Sequence, residues 1–481
     1  MTGGTTENTN KDRPESIKVV VLVQKATMST SELPPMRTNL LPSTSKPTRE
    51  QWIIYGQIFA SEAQRGVVIA TLPLYFAISL NAPTSPSSPT EPNGGFASEV
   101  GSVSESPLMS PALALSIGIS LFSIGRLLAS QPLGAWQQRT NSTRTVLLLS
   151  TMVTIADASV YAIVGFLFGF STSNAIAGLA VFLLWLCRFV GGFASGTVGV
   201  SRAFIARSSS LEDRTLALSR AALAQYAGFT LSPSIALLLA GLFAYFITDP
   251  FSLASIALLP ALAVIAVNVV CLYYLRSLTA KDSDEINFDA RAVPAQADRF
   301  KVDQKFMVFF LLNLILRGIV GVAETYAAQR YQLMNSEDED VVADSQILFL
   351  VLGIIGSIVF FLIPDAEKRY GTKRLLQAGI ATIAMGSILM IPAIQGSNIV
   401  IFVLGLGLIW SIGSPICQTL TISAYSRSLG QKPQAVAMSW LTTAGSLGRI
   451  IFPLMVGVSA TGVQILDVFL SILCATFYQY M

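Results

Sequence analysis

Thr145-Val-Leu-Leu-Leu-Ser-Thr-Met-Val-Thr-Ile-Ala-Asp157-Ala-Ser-Val-Tyr-Ala-Ile-Val-Gly-Phe-Leu-Phe-Gly-Phe170 carries a single charge, Asp157, along its whole length. A helix needs about 20 apolar residues to cross a hydrocarbon core of about 30 Å, so this stretch has length to spare. Its two flanks differ. Arg139 and Arg144 precede it, whereas 171–175, which follows, holds no Lys or Arg. Basic residues accumulate on the cytoplasmic side of a membrane protein, so the segment is expected to enter the bilayer from the cytoplasm. One buried carboxylate, one basic flank and one neutral flank are the features to look for elsewhere in the chain.

Working outward, apolar segments of similar length lie at 52–80, 110–136, 176–206, 216–247 and 253–275. A polar stretch at 276–304 interrupts the series, and six more follow at 306–333, 344–364, 374–394, 398–425, 434–459 and 462–481. Six, a break and six again is an internal period of the chain. The charges sort with it. Arg207, Arg214, Arg276, Lys281, Lys368, Arg369, Lys373, Arg374, Arg427 and Lys432 fall in alternate loops. The intervening loops (81–109, 171–175, 248–252, 334–343, 395–397 and 460–461) have neither Lys nor Arg, and Glu337 to Asp340 make one of them acidic. The fold expected is an all-α, multi-pass membrane protein with twelve transmembrane helices in two pseudo-symmetric six-helix bundles. Both termini are expected in the cytoplasm. The domains expected are a disordered cytoplasmic tail (1–50), an N-terminal bundle (51–275), a cytoplasmic linker (276–304) and a C-terminal bundle (305–481). The tail is Ser/Thr-rich and too polar to offset its chain entropy by burial.

Composition narrows the chemistry. The 481 residues are 52% hydrophobic and 12% charged, with mean hydropathy +0.60. Soluble domains carry about 25% charged residues, so a water-soluble enzyme is excluded. There is no histidine, which removes imidazole-based metal sites, catalytic triads and proton relays. Any proton chemistry must therefore use carboxylates. Cys187, Cys271, Cys417 and Cys474 stand singly inside apolar runs, as buried small residues do. The net charge of +3 does not call for a nucleic-acid partner. No cofactor, metal or enzymatic activity is expected. The partners expected are the lipid bilayer and a small solute, with the chain acting as a monomer.

Several motifs carry a resemblance. Gly125-Arg126-Leu-Leu-Ala-Ser-Gln131-Pro132-Leu-Gly134-Ala-Trp136-Gln-Gln138-Arg139 resembles the helix 2–3 signature of the major facilitator superfamily, matching at Gly134 and Arg139. Gln138 stands where that signature has Asp. Asp365-Ala-Glu367-Lys368-Arg369-Tyr-Gly371-Thr-Lys373-Arg374 echoes it in the second half, and Arg188-Phe-Val-Gly191-Gly192-Phe-Ala-Ser-Gly196 is similar to the family's helix 4 motif. The run Tyr425 to Pro453 and the pair Glu324-Thr325 resemble the lysosomal branch linked to neuronal ceroid lipofuscinosis, a relative of the SPX-tailed vacuolar phosphate transporters. The resemblance implies a solute transporter of an endomembrane such as the lysosome or vacuole. It also implies gate or turn roles for Gly134, Arg139, Arg214, Gly371 and Lys373.

Charges inside a bilayer cost roughly 2.5–3.5 kcal/mol each on insertion scales, so they mark a pathway or an internal pair. Glu62, Arg65, Asp157, Arg188, Arg317, Glu324 and Arg449 are the candidates for a substrate or ion pathway. Glu62 and Arg65 lie three apart on one helical face, and Arg317 and Glu324 lie seven apart, so each couple is placed to pair. Arg126 is expected to act near the cytoplasmic turn, and Asp467 to be a structural or lumenal charge. Counted together, five Arg face four carboxylates, which leans toward an anionic solute. Alternating access, with Glu324 binding a coupled proton, is the leading reading. An anion channel lined by Arg65, Arg188, Arg317 and Arg449 and a non-transporting receptor or scaffold are the alternatives.

Overall fold

The structure is a computed structural model that describes residues 46–80, 111–170, 174–246, 252–278, 303–334, 341–391, 394, 398–430, 432–456 and 459–479. Residues 1–45 of the tail, the whole first outer loop (81–109) and the body of the 276–304 linker lie outside the described residues.

Every regular element among the described residues is helical. In chain order they are α1 (Arg49–Leu80), α2 (Pro111–Thr140), α3 (Thr143–Phe170), α4 (Asn174–Ser195), α5 (Val198–Arg207), α6 (Arg214–Phe246) and α7 (Ser252–Ser277). Then come α8 (Gln304–Met334), α9 (Val341–Tyr370), α10 (Thr372–Leu389) and α11 (Ile399–Gly407). A π-helical turn (Leu408–Gly413), α12 (Ser414–Leu429), α13 (Ala435–Val456) and α14 (Ala460–Gln479) complete the series. Among the described residues, seven helices are long and apolar enough to cross a membrane: Thr143–Gly165, Gly178–Arg207, Leu258–Ser277, Gln304–Glu324, Ile347–Tyr370, Ile399–Leu429 and Ala435–Val456. Ile163, Phe182, Phe361, Leu362 and Phe469 are each more than half exposed, a surface that suits lipid and not water.

Two interruptions have local causes. Between α4 and α5 the N–H groups of Gly196 and Thr197 bond three residues back, to Phe193 O and Ala194 O, tightening the turn before α5 resumes. Between α11 and α12 the wide turn Leu408–Gly413 precedes Pro415, which has no N–H to donate. That turn places Trp410 and Ser411 toward the interior, both almost fully buried.

Helices approach one another where side chains vanish. A Cβ on Gly192 would run into the backbone of Phe122, seating α4 on α2. A Cβ on Gly448 would run into the carbonyl of Leu314, seating α13 on α8. In a bilayer, where lipid is as apolar as leucine, such backbone contact is a main source of helix association. α1 also packs on α6, α3 on α7 and α10 on α14, while α2 meets α13 and α6 meets α9 and α12. Burial follows this arrangement. The α13 span is 72% buried and the α7 span 28%, so α13 is central and α7 peripheral.

Replacing Gly192 with Leu should abolish recovery of folded protein, because the added atoms have only the Phe122 backbone to displace. Gly178 has open space around it, so Gly178→Ala should leave stability unchanged or raise it slightly. Size-exclusion profiles and melting temperatures of the two variants in detergent check this.

Candidate functional site

The polar residues of α1 repeat every three to four positions. Gln57, Ser61, Glu62, Gln64 and Arg65 are all buried, so the helix turns a polar stripe inward. Glu62 is fully buried and accepts from Arg126 of α2, from Arg65 at 3.3 Å and from Gln225 of α6 at 2.9 Å. Arg65 reaches across to Glu324 of α8 at 2.8 Å, and Glu324 accepts a second guanidinium from Arg449 of α13. The result is one chain of ion pairs, Arg126–Glu62–Arg65–Glu324–Arg449, drawn from four helices. Their side chains are all less than a tenth exposed. Buried charges require such pairing, since the interior has no water to solvate them.

Phe122 of α2 holds the cations together. Arg188 lies 4.6 Å, Arg65 5.3 Å and Arg126 5.4 Å from its ring centroid, and Arg65 also stacks on Phe229 at 4.3 Å. Aromatic faces attract guanidiniums and offset part of their mutual repulsion. Beside this group Asp157 accepts from the Gln64 amide. Arg202 of α5 donates to Gln225 Oε1 at 2.5 Å, which also accepts from Gln418 at 3.1 Å.

Narrow cavities open between these walls. One is lined by Arg126, Arg202, Gln225, Arg317 and Arg449 among others, and another by Arg65, Tyr226, Phe229, Arg317, Trp410 and Gln418 among others. Arg317 borders both, as well as a third beside Asn313 and Cys417. It makes no ion pair or hydrogen bond among the described residues. Trp410 Nε1, Arg65 Nε and Arg449 Nε are likewise buried donors with no acceptor among the described residues. Both oxygens of Glu62 and of Glu324 are already occupied.

The expected site residues therefore divide. Glu62 and Arg65 pair with each other, but Glu324 pairs with Arg65 and Arg449 instead of Arg317, because packing of α1 and α13 against α8 brings those guanidiniums closer than the two-turn neighbour. Arg126 is buried in the network, whereas the sequence had suggested a place near the cytoplasmic turn. Asp467 lies apart on α14, so the count of five Arg against four carboxylates changes. Six guanidiniums, those of Arg65, Arg126, Arg188, Arg202, Arg317 and Arg449, share this interior with Glu62, Asp157 and Glu324. Arg202 was missed although it lies within an apolar segment, the same signal that singled out Arg188. Gln225 and Gln418 were missed because amides carry no charge to notice.

The turn motifs cluster at the end where α9 meets α10. Gly371 sits in that one-residue turn at φ +79°, where a side chain would be strained. Glu367 accepts from Arg427 and Thr372, tying the turn to α12. Arg214, fully buried, donates to Ser426 O at 3.0 Å and Gly430 O at 3.1 Å, at the negative end of the α12 dipole. Ser439 of α13 fills the space left by Gly134 of α2 and Gly199 of α5. Arg139 and Lys373 are exposed.

Residues 54–453 match the Major Facilitator Superfamily, and the chain belongs to that family. It is an integral, multi-pass membrane protein of a transporter family, and not an enzyme. It is 24% identical over 403 residues to the Xenopus laevis major facilitator superfamily domain-containing protein 8, covering 70% of this chain and 76% of that one. Its fold is similar to that of the human organic anion transporter MFSD10 (TETRAN), with TM-score 0.60 and 16% identity over 90% of this chain and 100% of the other. It is also similar to a bacterial homologue of the iron transporter ferroportin in an outward-facing state. There the TM-score is 0.64 and the identity 12%, over 90% and 99% of the two chains.

Glu62→Gln keeps the shape of the side chain but leaves Arg126 and Arg65 short of counter-charge. Breaking a buried pair on one side costs about 3–5 kcal/mol, so this variant should melt well below wild type. Thermal unfolding in detergent measures it, and an unchanged melting temperature would mean that the network contributes nothing to stability.

Proposed function

We propose that this protein carries a small anionic solute across an endomembrane by alternating access, with Arg317 as the solute's main cationic contact. The observation that carries the reading is the imbalance at the cavity wall. The acceptors of Glu62, Glu324 and Gln225 are engaged, while Arg317 lines the cavity outside the ion-pair chain and Trp410 Nε1 has no acceptor among the described residues. A solute that brings acceptors and negative charge satisfies both deficits, whereas a cation satisfies neither.

In this reading the chain forms twelve spans in two six-helix halves, 51–275 and 305–481, joined by the basic 276–304 linker. Both termini are cytosolic, and the protein acts as a single chain. The halves rock about the cavity. Arg65 of α1 and Glu324 of α8 bridge them at mid-depth, and Arg214 with the Gly134–Ser439–Gly199 contact closes the basic end. Glu324 is the coupling site. A proton on it removes the charge that holds Arg65 and Arg449, freeing both guanidiniums for the solute and loosening the bridge. The lysosomal or vacuolar setting rests on the resemblance of the Tyr425–Pro453 run. An organic anion transporter among the proteins of similar fold agrees with the sign of the solute.

Two measurements in proteoliposomes test this. A panel of small anions should show saturable flux and counter-transport, and Arg317→Ala should lose most of it, by about tenfold or more, the equivalent of one charge-assisted contact. Current that rises linearly and reverses at the anion potential would replace the carrier with a channel. Imposing a pH gradient then addresses Glu324. Wild-type flux should respond to it and Glu324→Gln should not, because the amide stands permanently in the uncharged state. A Glu324→Gln flux that still follows the gradient transfers the coupling role elsewhere.

Arg449→Lys separates two roles for that side chain. A bidentate or directional contact to Glu324 collapses in lysine, whereas a field effect persists with altered affinity. The geometry predicts loss, since one Arg449 nitrogen meets Glu324 Oε1 directly. Flux and anion preference at wild-type abundance read the outcome.

A further inference from the structure

The ion-pair chain accounts for only part of the charge around the cavities. The cavity bordered by Arg126, Arg202, Gln225, Arg317 and Arg449 has no carboxylate in its lining. Arg126 and Arg449 nevertheless have counter-charges, Glu62 and Glu324, which line the neighbouring cavity. Arg202 and Arg317 have none. No carboxylate among the described residues comes within ion-pairing distance of either.

Arg202 reaches this cavity from α5 and is 5% exposed. Its hydrogen bond among the described residues goes to Gln225 Oε1, a neutral acceptor shared with Gln418. An amide oxygen satisfies an N–H but does not cancel a charge. Arg317 arrives from α8. Gly445 of α13 makes room for it, since a Cβ there would lie 3.1 Å from Arg317 Cγ, and Gly445 lines the same cavity.

Neutral donors on this wall are already used. Thr442 donates to Met438 O at 3.1 Å, Ser446 to Thr442 O at 3.0 Å and Asn313 to Leu441 O at 2.5 Å. What the cavity offers a solute is therefore a pair of guanidiniums without counter-charge. Like charges that share a narrow, buried space repel more strongly than they would in water. One negative charge would cancel one guanidinium and leave the other bare. Two negative charges on one small molecule cancel both.

We propose that the solute is a dianion bound between Arg202 and Arg317. This rests on the reading of the cavity as an anion site, to which it adds a charge state and a second contact. Arg202 belongs to the first half of the chain and Arg317 to the second. An empty site keeps the two apart by repulsion, whereas a dianion draws them together, so the occupied site favours closure of the halves upon it.

The test compares anions of similar shape and different charge. Sulfate and methanesulfonate form one pair, and succinate and its monomethyl ester form another. The full-length protein in detergent is melted against a concentration series of each sodium salt, in a constant background of sodium gluconate. Binding to the native state raises the melting temperature saturably, which separates it from the general stabilising effect of sulfate on proteins. At least one dianion should reach half-effect at a concentration about tenfold or more below its singly charged partner, the equivalent of one further charge-assisted contact. Arg202→Gln should bring that ratio close to one, and Arg202→Lys, which keeps the charge, should retain most of it. Equal half-effects within both pairs in the wild type overturn the dianion while leaving an anion site in place, and that comparison needs no variant. A ratio that persists in Arg202→Gln overturns the assignment of Arg202. Absence of a saturable response to all four anions overturns the dianion and the anion reading together.

Discussion

The guanidinium of Arg65 is the constraint on which the interior depends. It gives one nitrogen to Glu62 on its own helix and another to Glu324 on α8. It thereby joins two pairs, Arg126–Glu62 and Arg449–Glu324, that would otherwise stand apart. Buried pairs of this kind seldom add net stability over an apolar core, because desolvation consumes most of the attraction. Their retention in a bilayer interior is better explained by what the pairs can exchange. A guanidinium bound to two carboxylates on two helices is a bridge that a proton or a competing anion can open.

Around that bridge the packing leaves little slack. α2, α4, α8 and α13 touch backbone to backbone at glycines, so their positions are fixed to within a side chain's thickness. Rigid elements of this kind suit a protein that moves by rocking whole helices instead of deforming them. The exceptions lie where deformation is useful. The π-helical turn before α12 carries Trp410 to the cavity wall, and the broken α4–α5 junction lies one turn before Arg202. Irregular backbone at membrane depth is tolerated where it faces protein or a cavity.

Donor and acceptor accounting gives the cavity wall a sign. At the cavity wall both carboxylates, Glu62 and Glu324, are engaged, while the Arg317 guanidinium has no ion-pair partner among the described residues. In water that imbalance would be trivial, since solvent supplies the missing partner. In a buried site each unsatisfied group carries a desolvation cost of about 1–3 kcal/mol, and a ligand of the right sign removes it.

The helical nature of the chain, its membrane setting and its family motifs were legible in the residues alone, because apolar length and basic loop flanks are properties of local composition. So was the identity of most buried charges, since an ionised side chain in an apolar run is conspicuous wherever it lies. Partner choice was not legible. Spacing along α8 suggested Arg317 for Glu324, whereas the fold supplied Arg65 from α1 and Arg449 from α13 and left Arg317 to the cavity. Gln225 and Gln418 were silent in the sequence and became wall residues once α6 and α12 were packed. Sequence fixes which groups must be satisfied, because that depends on their own chemistry. Tertiary packing decides what satisfies them, because hydrogen bonds and ion pairs act over a few ångströms and the chain brings distant residues within that range only when it folds.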